Sequence, residues 1–181
     1  GRIWFCTEDG YLNRLDTHSY EMRNFEIEPG MNMQGLIIDG STLWICSYSH
    51  GLYRMNMDTE KAVRHTGYPE ERAICGYMTK EGQLYIGSSK GVYRSDSSKT
   101  GFSKIESVGD EYINCIRQDI SGILWVGTLG NGIFCLDKNG NLLAHAGSEK
   151  SGQGLTSRFI TSFHEDSRHR MWITTEGGGV C

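Results

Sequence analysis

The sequence predicts an all-β protein built from repeated four-stranded units, and three observations carry that prediction. An aromatic residue recurs at Trp4, Trp44, Tyr85, Trp125 and Trp172, at intervals of 40, 41, 40 and 47 residues. A near-constant period of this size marks a stacked or radial array. The flanking residues recur in register with it. The apolar runs are short, rich in β-branched and aromatic residues and separated by glycine-rich turns, and none keeps a helical period over ten residues.

The register is detailed. The residue before the aromatic is Ile3, Leu43, Leu84, Leu124 or Met171, and the residue after it is Phe5, Ile45, Ile86, Val126 or Ile173. The next column is small (Cys6, Cys46, Gly87, Gly127, Thr174), the column after it is always a hydroxyl (Thr7, Ser47, Ser88, Thr128, Thr175), and a glycine follows soon after at Gly10, Gly51, Gly91, Gly132 and Gly179. An apolar run, a glycine turn and a second apolar run make a β-hairpin. The small column marks a place where neighbouring backbones approach closely. The hydroxyl column is expected to bond locally.

Taken in order, the first unit (1–30) supplies strands over 2–7, 11–15 and 21–27, with Tyr11 in the usual glycine position of its turn. The second (31–70) has strands at 35–38, a hairpin over 42–55 and a strand at 62–65. The third (71–110) has strands at 73–79, 83–88, 91–95 and 102–105. The fourth (111–153) has strands at 113–118, 124–128, 132–136 and 142–145, and its longer loop at 147–153 accounts for the 47-residue interval. The fifth (154–181) stops after two strands and the start of a third. Four short strands per period of about 40 residues describe a propeller blade rather than a helical repeat such as TPR or HEAT. The strand Ile123–Val126 is apolar on both faces, as a sheet packed between two neighbours requires. The expected architecture is a β-propeller of four-stranded antiparallel blades, present here as a partial propeller of about four and a half blades. A chain that starts within a repeated strand and stops within a hairpin is expected to be a segment of a larger propeller. On its own it would leave sheet faces open, which favours association, a homodimer being the simplest form.

Composition narrows the function. The chain carries 18 Lys+Arg against 22 Asp+Glu, with no basic stripe, which argues against nucleic acid as a partner. Its apolar runs are far too short to span a membrane. The six cysteines form no Cys-x-x-Cys pair, and Cys6, Cys46, Cys75 and Cys115 follow the repeat register, so they read as small buried residues rather than bridges or metal ligands. The histidines show no metal-ligand spacing, and no nucleophile elbow or phosphate loop is present. His164, Glu165 and Asp166 are consecutive on a strand, where neighbours point to opposite faces, so they are not expected to converge on a metal or substrate. No catalytic residue, metal or cofactor is expected.

Ile113-Asn114-Cys115-Ile116-Arg117-Gln118-Asp119, Gly122, Leu124-Trp125-Val126-Gly127-Thr128 and Gly132-Ile133 resemble the two-component regulator propeller repeat, as do Gly154-Leu155-Thr156-Ser157, Ile160, Phe163, Asp166, Met171-Trp172-Ile173 and Gly178-Gly179. The second and third units match more loosely, with Tyr85 in place of Trp. The resemblance implies a seven-bladed propeller from the periplasmic sensor region of a Bacteroides-type hybrid two-component histidine kinase. It implies an oligosaccharide signal, with the kinase chemistry and the membrane helix elsewhere in the receptor chain.

The leading expectation is therefore a ligand-sensing propeller without catalysis. Its contacts would lie on the least uniform loops, those between the second and third strands and those between blades. The candidates are Tyr48, His50, Arg72, Asp110, Tyr112, Asn131, Arg158 and Glu176, which offer the aromatic faces, amides and charged planar groups that a sugar needs. A propeller lyase or hydrolase is the alternative. A protein-interaction scaffold of WD-repeat type ranks third, because the Gly-His and Trp-Asp signatures are absent.

Overall fold

The structure, a computed structural model, describes residues 1–7, 9–147 and 154–181. Among the described residues, eighteen strands form five antiparallel sheets, each built from sequence-adjacent strands. The first sheet holds β1 (Arg2–Cys6), β2 (Tyr11–Asp16) and β3 (Met22–Glu26). The second holds β4 (Met33–Asp39), β5 (Thr42–Ser47), β6 (Gly51–Asn56) and β7 (Lys61–Arg64). The third holds β8 (Cys75–Met78), β9 (Leu84–Ser88), β10 (Gly91–Ser95) and β11 (Phe102–Lys104). The fourth holds β12 (Ile113–Gln118), β13 (Leu124–Thr128), β14 (Ile133–Leu136) and β15 (Leu142–Ala146), and the last holds β16 (Ile160–Glu165), β17 (Met171–Thr175) and β18 (Gly179–Val180). The first strands β4, β8, β12 and β16 contact one another in succession, so the sheets are propeller blades joined along their inner edge. The expected loop at 147–153 lies almost wholly outside the described residues.

Alternation along each second strand makes the core. In β5, Leu43 and Ile45 pack back against Trp4 and Leu12 of the first blade, whereas Trp44 and Cys46 pack forward against Leu84, Ile86 and Tyr93 of the third. Tyr85 in turn packs forward on Ile116, Val126 and Phe134, and Trp125 on Phe163 and Ile173. The repeated aromatic thus fills each joint to the following blade. Such burial contributes roughly 2–3 kcal/mol per side chain. Trp172, on the outer face of the last sheet, is 40% exposed.

The small column has a different cause from the one expected. A Cβ on Gly127 would lie 2.6 Å from Cys115 Sγ and 2.6 Å from Ile160 Cγ2, and one on Gly87 would meet Cys75 and Ile113 in the same way. Side chains, not backbones, fill the space, because the following blade presents a β-branched residue there. Where the column is Cys46 instead, its cross-strand partner is Gly35, and the following blade presents Ala73 in the same cluster. One volume is shared three ways at the joints that follow the second, third and fourth blades.

Strand ends depart from expectation where a blade switches partners. Strand β4 starts at Met33, two residues early, carried across a bulge between Met33 and Gly35. Strand β8 starts late, at Cys75, because the Ala73 amide is given to Ser47 O of the second blade. A short 3-10 turn at Glu106–Val108 was not anticipated.

Candidate functional site

Antiparallel order sends the loops between second and third strands, together with the loops between blades, to one face of the propeller. The turns between first and second and between third and fourth strands lie on the other.

The eight residues picked from sequence all belong to the first face, but only three gather. The Arg72 guanidinium lies over the Tyr48 ring, 4.6 Å from its centroid. Tyr112 joins them: burial raises its phenol pKa, the neighbouring Tyr48 raises it further, and Arg72 lowers it. These three side chains come from three successive blades. The others serve the frame or point to solvent. His50 Nδ1 meets Ser49 Oγ at 2.7 Å. Asp110 is bound by Lys104, whose hydrogen bond and charge hold the carboxyl below its ordinary range. Asn131 Nδ2 donates to Glu111 at 2.7 Å, and its carbonyl contacts His145 Nε2 at 2.8 Å. The Arg158 carbonyl accepts from the Gly130 and Gly132 amides at 3.2 and 3.0 Å, while its side chain is exposed, as is that of Glu176. Beside Arg72, a cavity of about 570 Å³ is lined by Pro69, Glu70, Glu71, Ser89 and Lys90.

The hydroxyl column closes the hairpins of this face. Thr128 Oγ1 donates to Gly132 O at 2.8 Å and accepts from the Asn131 amide at 3.0 Å. Ser88 and Thr175 donate to Gly91 O and Gly179 O in the same way. The expectation of a local bond is met, with the turn's own backbone as partner.

The opposite face holds what the sequence reading missed. Between the third and fourth blades runs a cleft of about 610 Å³, lined by Thr79, Glu81, Gln83, Tyr85, Gln118 and Asp137 among others. A smaller pocket of about 170 Å³ continues it toward the inner strands past Tyr77, Lys80, Arg117 and Glu165, sharing Glu81, Gln118 and Gly122 with the cleft. Tyr85 floors the cleft, and burial raises its phenol pKa. The acidic turn residues here are already engaged. Asp119 accepts from the Ile123 amide at 2.9 Å and from Trp125 Nε1 at 2.8 Å. Asp166 accepts from Trp172 Nε1 at 2.9 Å and Arg170 Nε at 2.7 Å, and these bonds hold its carboxyl well below the usual range. Glu165 accepts from the Ile120 amide at 3.1 Å. Asp166 and Glu165 therefore hold separate partners, and His164 is exposed. Among the described residues, no group of three His, Cys, Asp or Glu is placed to hold a metal. A signal for this face did exist: Arg117 is a lone charge in the run Ile113-Asn114-Cys115-Ile116-Arg117.

The structure brings out a second column. Asp16, Asn56, Asp96 and Asp137 end the third strands, and each carboxyl or amide oxygen accepts backbone amides of the following turn. Hydrogen bonds from Ser98, Thr100 and Gly101 hold the Asp96 carboxyl down to about 2. The turn after β4 is one residue shorter, which leaves buried Trp44 Nε1 without a partner; Asp39 instead pairs with Lys99 at 2.6 Å.

Comparison with known proteins identifies the repeat in two blades and the fold. Residues 107–130 and 154–177 match the two component regulator propeller model, so the chain carries that repeat in its fourth and fifth blades. No curated protein sequence matches the chain. The extracellular domain of the hybrid two component system BT3049 from B. thetaiotaomicron is similar in structure, with a TM-score of 0.85 at 23% identity over 99% of this chain and 24% of that one. The extracellular domain of a second such system from that organism, BT4673, has a TM-score of 0.65 at 20% identity, covering 99% of this chain and 30% of that one. Virginiamycin B lyase from Staphylococcus aureus shares the fold at 12% identity, with a TM-score of 0.75 over 100% of this chain and 65% of that one. At these identities the structural likenesses establish the propeller fold. The chain spans about a quarter to a third of the length of the hybrid-system structures it matches.

Proposed function

We propose that this chain is part of the extracytoplasmic sensor propeller of a hybrid two-component receptor. In this reading it binds an oligosaccharide without transforming it and passes the signal to a histidine kinase elsewhere in the receptor. The observation that carries the reading is the regulator propeller repeat in two blades, on a fold shared with the extracellular domains of two hybrid systems. The chemistry agrees with it. The neighbouring carboxylates Glu165 and Asp166, which stand out in the sequence as an acidic pair, are held in structural hydrogen bonds with separate partners. Loops and turns carried on a rigid frame of blades suit recognition. A periplasmic location follows from the reading, with the membrane anchor in the remainder of the receptor. No helix among the described residues is long and apolar enough to cross a membrane.

The test is calorimetric titration of the chain with a panel of oligosaccharides, followed by mass spectrometry of the recovered sugar. Saturable binding with an unchanged mass supports a sensor. A mass shortened by cleavage at a rate that scales with protein concentration refutes it.

A further inference from the structure

We propose that the saccharide is held on the turn face, in the groove between the third and fourth blades, and that the site selects a neutral, hydroxyl-rich ligand. This rests on the saccharide-sensing reading above and goes beyond it by assigning a site and a ligand charge. The groove is the joined cleft and pocket, about 610 and 170 Å³, and the larger part falls in the usual size range for small-molecule sites.

Three observations support the assignment. The first is Arg117. Among the described residues its guanidinium has no hydrogen bond or ion pair, and its Nε is buried without a partner. A buried donor left unmade is costly, so such a group calls for an explanation. A ligand in the pocket that drew on the other guanidinium nitrogens would supply one. The second is that Lys80 and Glu81, at the mouth, are exposed and make no ion pair among the described residues, so both remain available. The third is charge balance. Lys80 and Arg117 face Glu81, Asp119 and Glu165 around one small pocket. An anionic sugar would meet three carboxylates, and a cation would meet an ammonium and a guanidinium. A neutral polyol can accept from the basic groups and donate to Glu81, and it avoids either repulsion. The amide nitrogens of Gln118 and Gln83 already donate to Gly122 O and to Ser95, which leaves their Oε1 atoms as acceptors along the cleft, and Leu143 gives an apolar edge for the faces of sugar rings. On the other face, by contrast, Arg72 is exposed to solvent and stacks on Tyr48, so it holds no buried donor in want of a partner.

The experiment titrates the 181-residue chain with neutral tetrasaccharides (cellotetraose, xylotetraose, mannotetraose) and with tetragalacturonate as the acidic probe. It compares the wild type with Arg117→Met, the rim variant Lys80→Ala/Glu81→Ala, and the other-face variant Tyr48→Ala/Arg72→Met. The expected result is that a neutral tetrasaccharide binds at least tenfold more tightly than tetragalacturonate. Arg117→Met should weaken it about tenfold or more, as loss of a charge-assisted hydrogen bond implies. The rim variant, whose exposed residues leave folding unaffected, should weaken it severalfold, and the other-face variant should leave it unchanged. Arg117→Met should not lower the melting temperature of the free protein, since it removes a donor that lacks a partner. Binding lost in the Tyr48/Arg72 variant but kept in the rim and Arg117 variants overturns this assignment and leaves the sensor reading standing. Tighter binding of tetragalacturonate overturns the neutral-ligand selection. No binding of any saccharide by the wild type overturns both.

Discussion

Substituting Gly127 by alanine tests how the blades are joined. A Cβ there would sit 2.6 Å from Cys115 Sγ in its own blade, and 2.6 and 2.9 Å from Ile160 Cγ2 and Cβ in the next. Ordinary contact begins near 3.4 Å, so relief requires almost 1 Å of movement at a partly buried thiol and a fully buried isoleucine. Ile160 is 0% exposed and cannot swing away. Overpacking of this kind costs about 1–3 kcal/mol, and the two-sided clash points to the upper half, about 2–3 kcal/mol. Ile160→Ala alone should cost about 2–5 kcal/mol by opening a cavity. In the double variant the new methyl enters that cavity, so the combined loss should fall short of the sum by at least about 1 kcal/mol, as expected for residues in contact. The second blade already uses this pairing of a larger column residue, Cys46, with Ala73. The assay is urea unfolding followed by tryptophan fluorescence, where the single Gly127 variant should lower the midpoint by about 1 M. A loss below about 0.5 kcal/mol for Gly127→Ala, or strict additivity with Ile160→Ala, would refute the three-way sharing of volume.

Two further predictions concern the carboxylates of the turns. Asp119→Ala strands the Trp125 indole and the Ile123 amide, and should cost about 1.5–3 kcal/mol in the urea experiment, with Asp119→Asn intermediate. Asp96, with its folded value held to about 2 against an ordinary 3.8, contributes stability that is present above the ordinary value and lost as pH falls through the folded one. The melting temperature should therefore decline more steeply between about pH 4 and 2 in the wild type than in Asp96→Asn, measured by circular dichroism; equal slopes would contradict the assigned hydrogen bonds.

The blade repeat was legible because every joint solves the same packing problem. Trp44, Tyr85 and Trp125 face the same kind of neighbour, so a periodic sequence records a periodic contact. The partner of the hydroxyl column was nearly legible, since Thr128 and Gly132 are four residues apart and bond within one turn. What failed was whatever depends on the sequence of a different blade. The small column looked like a backbone contact because nothing in Gly127 itself announces Ile160, which lies 33 residues further on in the next blade. Asp110 and Asn131 looked free for a ligand, yet Lys104 and Glu111 already engage them. The groove past Arg117 went unseen because it is assembled from turns of three blades, and turn residues such as Lys80 and Gly122 read locally only as turns. The Asp16, Asn56, Asp96 and Asp137 column was overlooked although its spacing matches the aromatic one. Its residues mark the ends of strands, where turn chemistry masks periodicity.

The most direct test of the sensor account is hydrogen–deuterium exchange of the chain with and without a saturating neutral tetrasaccharide, with the sugar weighed afterwards. The account predicts slowed exchange in the turns at 79–83 and 117–122 and recovery of the tetrasaccharide at its original mass. Unchanged exchange across the whole chain, or a sugar returned in pieces, would contradict it.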